Sequence, residues 1–270
     1  MSWRHIATKD LHQARRSPGS WLLTCLSLVL YVGYAVAHSY LGDSSFDAFV
    51  SGLSTVTAMS IPVFALLLGY KAIIHERKSG SLFLTLSSPQ SRRELVVGTF
   101  LGRVVVLLVP TVLSLALAGV VGVVQYGTQG ALFYPWFMFV TALYGVAFVA
   151  LAVGLSMSTT LDRRITLGAL GSFLLLGPFW NTVHTFGLLF LHRFDFGVLS
   201  DMPGWALLVR LWAPTESYYR LLNAGFDIGQ ATRYAGGPLY VDWWMGLVAL
   251  LAWCTVPVVL GFRRFRTADL

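Results

Sequence analysis

Six histidines, at positions 5, 12, 38, 75, 184 and 192, and two cysteines, Cys25 and Cys254, are the side chains best suited to hold a metal or attack a substrate. Their spacing supports neither role. No two histidines stand four apart on a helix, no HExxH occurs, and neither cysteine has a CxxC partner. There is no GxSxG and no Ser/Lys or paired-Asp arrangement inside an apolar run, so nucleophilic and acid–base catalysis lack their constellations. Lys78-Ser79 lacks the glycines of a GxxxxGK[ST] loop, which would cradle phosphates. If ATP is used, another chain must bind it. The remaining chemistry is neutral and polar. Asn181 and His184, three apart, share a helix face beside Pro178, either lining a substrate path or bonding between helices. Ser51, Ser54, Thr55, Ala58 and Pro62 form a small-residue stripe, suited to close helix packing or to a path-lining surface.

The elements carrying these residues are membrane spans. Of 270 residues, 56% are hydrophobic and only 11% charged, against about 25% charged in a soluble domain. Six apolar runs free of Asp, Glu, Lys and Arg qualify as spans of about 20 residues: 21–41, 50–70, 104–126, 134–157, 165–191 and 243–262. The third is expected to begin near Leu95, giving 95–126, and Pro178 predicts a kink or break in the fifth. The runs are continuous, which favours helices over a barrel. Charge-free spans remove most support for a carrier driven by protons or sodium.

With six spans both termini share one side. That side gathers 15 basic and five acidic residues, a net of +10, whereas the other holds four basic and seven acidic, a net of −3. The positive-inside bias therefore places both termini in the cytoplasm. It also explains the overall charge of +7 without nucleic acid as a partner. Ala35-Val36-Ala37 offers a signal-peptide alternative, but the first run is of span length.

Residues 2–16 read as a basic amphipathic helix in the membrane interface, with Trp3, Ile6 and Leu11 on the apolar face, Lys9 on the polar one and Asp10 as a blemish. It either transmits motion or anchors passively. The internal connection 71–93 holds more structure than a joint needs. Charged residues around Glu76 and Arg77 lead through Gly80 into Leu82-Phe83-Leu84-Thr85-Leu86, then a Ser-Ser-Pro break at Pro89, and Ser91 and Glu94 form a capping box for the next helix. This apolar element between charged turns suits docking to a cytosolic partner or resting on lipid headgroups. Residues 192–242 are external, apolar and aromatic, and read as interfacial or re-entrant helices. The fold class is thus an all-α membrane protein: six transmembrane helices in one domain spanning 1–270, an N-terminal elbow helix, a short cytoplasmic element and re-entrant helices before the last span.

The stretch Tyr70-Lys71-Ala72-Ile73, Glu76-Arg77-Lys78-Ser79-Gly80-Ser81-Leu82, Leu84, Leu86, Pro89, Ser91-Arg92-Arg93 and Gly98-Thr99-Phe100-Leu101-Gly102 resembles the membrane subunits of type-2 ABC exporters. Those subunits carry Tyr-x-x-Ile, acidic-Arg-x-x-Gly-(Ser/Thr)-Leu, leucines, Pro, Ser-Arg and Gly-Lys-Phe-x-Gly in this order. Thr99 stands where the family has lysine, so any contact of that lysine is in doubt here. Residues 6–16 look like the family's elbow helix and 265–270 like its tail. Within the family the pattern is closest to small prokaryotic permeases, including those near the nitrous-oxide reductase maturation system. The resemblance implies a permease that pairs with a second copy or a close paralogue around a central path in a prokaryotic plasma membrane. It implies two separate cassette subunits carrying ATP and Mg, docked through Glu76, Arg77, Gly80, Ser81, Leu82, Leu84, Leu86, Pro89, Arg92 and Arg93. The alternatives are a complex that uses ATP to change the conformation of an extracytoplasmic protein, and a cassette-independent channel or carrier.

Overall fold

The computed structural model describes residues 17–41, 45–69, 92–128, 130–158 and 162–267. Among them the chain is helical, without strands. The helices are α1 (Pro18–Leu41), α2 (Phe46–Gly69), α3 (Arg92–Tyr126), α4 (Tyr134–Ser158), α5 (Asp162–Leu176), α6 (Trp180–Leu191), α7 (Gly197–Ser200), α8 (Gly204–Leu211), α9 (Pro214–Leu222) and α10 (Trp243–Thr267). Short 3-10 turns cover Ala131–Phe133, Gly229–Tyr234 and Leu239–Val241. Pro18 opens α1, where a missing N–H costs nothing.

Helices α1, α2, α3, α4 and α10 are each long and apolar enough to cross a bilayer. The fifth expected span, 165–191, is not one helix. It is the pair α5 and α6, bent by 69° at a break around Pro178, so among the described residues there are five single-helix candidate spans, or six if the pair crosses as one. The cause is local. Gly177 makes the last regular bond, to Phe173; Pro178 has no N–H for the Leu174 carbonyl, and Phe179, five residues on, donates to it instead. At 1.5 Å per residue α5 is about 22 Å long, short of the ~30 Å hydrocarbon core.

Helix α4 is the hub. It is buried along most of its length, and it packs against α10, α2, α3, α9 and α5. Its approach to α10 is set by glycine. A Cβ on Gly154 would collide with the Pro257 carbonyl, and one on Gly261 with the backbone of Gly154. On the opposite side a Cβ on Gly69 of α2 would lie 2.7 Å from that of Ala152. Lipid tails are as apolar as leucine, so van der Waals contact between backbones replaces the hydrophobic drive that packs helices in water. Helix α1 leans on α3 and α2, joined by Tyr31 to Ser60 at 2.8 Å and His38 to Tyr126 at 2.7 Å.

A polar node at mid-membrane and its family

A proline within α2, the proline break after α5 and a re-entrant hairpin meet at the centre of the molecule. Pro62, inside α2, cannot donate to the carbonyl of Ala58 four residues back. The hydroxyl of Tyr144, on α4, donates to that carbonyl at 3.0 Å. At the α5 break the carbonyl of Leu176 accepts from the Thr215 hydroxyl, also at 3.0 Å. The hydroxyls of Tyr144 and Thr215 are themselves 3.0 Å apart. Each carries one hydrogen. Two hydrogens therefore serve three contacts, and satisfying both carbonyls leaves the hydroxyl–hydroxyl contact without a hydrogen of its own.

The depth of this node follows from helix rise. Ala58 lies 12 residues into α2 and Tyr144 ten into α4, which places them about 15–18 Å from the ends joined to 45 and 130–133, near the middle of a ~30 Å core. Thr215 reaches this depth because α8 and α9 form a hairpin that enters beside α10. Ser217 packs on Gly246, and the Trp253 indole donates to the Trp212 carbonyl at 2.8 Å. Irregular backbone in a bilayer must find internal partners. Here the Arg210 carbonyl accepts from the Trp180 indole at 3.0 Å, the Leu221 carbonyl from Trp136 at 2.9 Å, and the Leu211 carbonyl from the Ser217 hydroxyl.

Charge is buried in the same hairpin. Arg210 and Glu216 are 6% and 2% exposed, and Arg210 Nε stands 3.7 Å from a Glu216 oxygen, an ion pair rather than a hydrogen bond. Glu216 accepts from the Tyr234 hydroxyl at 2.6 Å and from the Asn181 amide. Four segments are thereby joined: α6, α8, α9 and the 3-10 turn at Gly229–Tyr234. Nearby, Tyr218 stacks on Tyr144 with ring centroids 4.6 Å apart, and its hydroxyl meets Thr57 at 2.7 Å and Thr141 at 3.1 Å.

The residues proposed from sequence as path-lining fall around this node. Ser54 is buried and donates to Ser51 of its own helix at 2.6 Å, as a packing residue does. Thr55 bonds to Tyr219 and accepts from Gln230 at 3.2 Å. Pro62 is buried and is the origin of the Ala58 contact. Asn181 binds Glu216, and His184 Nε2 lies 2.9 Å from the Ala206 carbonyl. Asn181 and His184 therefore share a face, as their spacing predicts, and that face packs on the hairpin. Trp3, Ile6, Lys9 and Leu11 lie outside the described residues, as do Glu76, Arg77, Gly80, Ser81, Leu82, Leu84, Leu86 and Pro89. Arg92 opens α3 and Arg93 is exposed in its first turn. Tyr144, Thr215, Arg210, Glu216 and Tyr234 were not anticipated. Arg210 had a signal, a charge within the apolar run Trp205–Trp212.

A bundle of long apolar helices with few charged residues in them, joined by a re-entrant hairpin, defines a polytopic membrane protein. Residues 4–270 match the ABC-2 family transporter protein, and the chain belongs to that family. It is 30% identical over 274 residues to the "Probable ABC transporter permease protein NosY" of Stutzerimonas stutzeri, covering 97% of each chain. It is 32% identical over 279 residues to the protein of the same name from Pseudomonas aeruginosa, covering 97% of this chain and 96% of that one.

Proposed function

We propose that the chain is the permease subunit of an ATP-driven exporter, working as a dimer with two separate cassette subunits that carry ATP and Mg. The observation that carries this reading is family membership across almost the whole chain in a sequence with no phosphate loop of its own. Both termini and the 71–93 connection lie in the cytoplasm of a prokaryotic cell, on the strength of the basic-residue bias. Glu76, Arg77, Gly80 and the leucines at 82, 84 and 86 engage the cassette, with Ser81, Pro89, Arg92 and Arg93 shaping that element. Trp3, Ile6, Lys9 and Leu11 form the elbow. Cassette closure then moves the spans, and the node ties the proline-containing helix α2 and the break after α5 to the external hairpin, so motion at the inner face is felt at the outer one.

The test is purification of the tagged chain from its native host in mild detergent, with mass spectrometry and ATP hydrolysis on the same fraction. A stoichiometric Walker-motif protein with ATPase activity that is lost in Leu82→Asp is expected. A chain that stays alone and hydrolyses nothing in several detergents overturns the reading in favour of an autonomous channel or carrier. Tight co-purification of an extracytoplasmic protein through residues 192–242, with ATPase intact but no transport, would convert the exporter into a machine acting on that partner.

A further inference from the structure

A groove of about 540 Å³ runs between α4 and α10. Its floor is the close crossing of α4 and α10 at Gly154 and Gly261, where the two backbones touch, and its walls are Leu151, Leu155, Val256 and Leu260. One end is closed by Trp212 and Trp253, held together by the indole-to-carbonyl bond that anchors the hairpin tip. The other end opens on Arg263 and Arg264, both exposed. Trp253 and Arg263 are ten residues apart on one helix, about 15 Å at 1.5 Å per residue. That is half of a ~30 Å hydrocarbon core, the depth of one leaflet.

These dimensions and charges describe a lipid. An apolar slot one leaflet deep fits a single acyl chain, and two guanidinium groups at its mouth stand at headgroup level, where arginine binds phosphate through paired hydrogen bonds. We propose that this groove is a binding site for an anionic phospholipid, with one chain between α4 and α10 and the phosphate on Arg263 and Arg264. The floor of two glycines gives the site a second consequence. A chain seated there covers the backbone contact between Gly154 and Pro257 and touches Trp212 at the hairpin tip, so the lipid reports directly to the re-entrant element. Assigning it to the cytoplasmic leaflet rests on the orientation given under Proposed function. The chemistry of the groove does not.

The experiment is native mass spectrometry of the full chain, stripped of lipid in mild detergent and offered equal amounts of phosphatidylglycerol and phosphatidylcholine of one chain length. One phosphatidylglycerol should be retained per chain in preference to phosphatidylcholine, by about five-fold for each arginine at the mouth. The preference should fall to near unity in R263Q/R264Q and be retained only in part in R263K/R264K, which keeps the charge but loses the paired hydrogen bonds. Val256→Trp, at a half-exposed wall position, should expel both lipids while the melting temperature stays unchanged. Equal retention of the two lipids by the unaltered chain would overturn the proposal. So would a preference that survives R263Q/R264Q, or a Val256→Trp chain that keeps its phosphatidylglycerol, as it would if the groove seats a second copy instead. Impermeant-maleimide labelling of R264C from outside intact cells, with Cys25 and Cys254 replaced by serine, tests the leaflet separately. Labelling there would overturn the leaflet and leave the groove standing.

Discussion

Helices α4 and α5 follow each other in the chain and are opposites. Helix α4 is unbroken over 25 residues, buried on several sides, and in backbone contact with α10 through Gly154. Helix α5 stops after 15 residues and turns by 69° into α6, and much of its surface is open, with nothing within 4 Å of a Cβ placed on Gly171. Stability in α4 comes from distributed packing. Helices α5 and α6 have small apolar contacts, Ala169 on Leu66 and Ala152 and Leu188 and Leu189 on Val198 and Ala206, beside a few polar bonds to the hairpin: Thr215 to Leu176, Trp180 to Arg210, Asn181 to Glu216. A span held by a few bonds can change its angle without repacking a core, whereas one held along its length cannot. The contrast therefore separates the frame of the molecule from the part suited to move.

The largest effect that would break this contrast is expected at the glycine crossing. Gly154→Leu forces α4 and α10 apart along their backbones and should abolish recovery of monodisperse protein, a cost above about 3 kcal/mol. Fluorescence-detected size exclusion reads this directly. Gly171→Leu in α5 is the control and should leave the elution profile and melting temperature unchanged; a loss equal to that of Gly154→Leu would erase the distinction.

Next in size is the buried ion pair. Arg210→Ala or Glu216→Ala leaves one charge alone and should cost about 3–5 kcal/mol in thermal unfolding. Replacing both, as Arg210→Met with Glu216→Leu, should recover most of that loss. If the double variant is as unstable as either single one, the pair is more than a matched burial. Tyr234→Phe removes one bond to the carboxylate and should cost about 1.5–3 kcal/mol, with limited proteolysis showing loosening at 229–242 before the rest.

Much of the architecture was legible in the residues. Runs free of charge give the spans because an ionised group in lipid is expensive, and the ends of α1, α3 and α4 fall within a few residues of the expected ones. Pro178 marked the break but not the angle, which depends on what α6 packs against. The node was harder to foresee for a reason of distance. Pro62 announces that the Ala58 carbonyl lacks its helical donor, yet the donor comes from Tyr144, 86 residues on. Thr215 serves Leu176 from 39 residues away. Helical periodicity reports neighbours three and four apart and is silent on such pairs. Asn181 and His184 stand three apart on α6, and their partners, Glu216 and the Ala206 carbonyl, belong to the hairpin, which their spacing does not announce.

The smallest expected effect is also the most direct test of the central claim, that the Tyr144 hydroxyl stands in for the hydrogen bond Pro62 cannot make. Tyr144→Phe in the natural background orphans the Ala58 carbonyl and should cost about 1–3 kcal/mol. In a Pro62→Ala background the new N–H takes over that carbonyl, and the same change should cost less by about 1 kcal/mol or more. The measurement is a double-mutant cycle on thermal unfolding of the two single variants and the double variant. A coupling of that size and sign is the predicted result. Costs that add to within about 0.3–0.5 kcal/mol would show the two sites to be independent and would contradict the account.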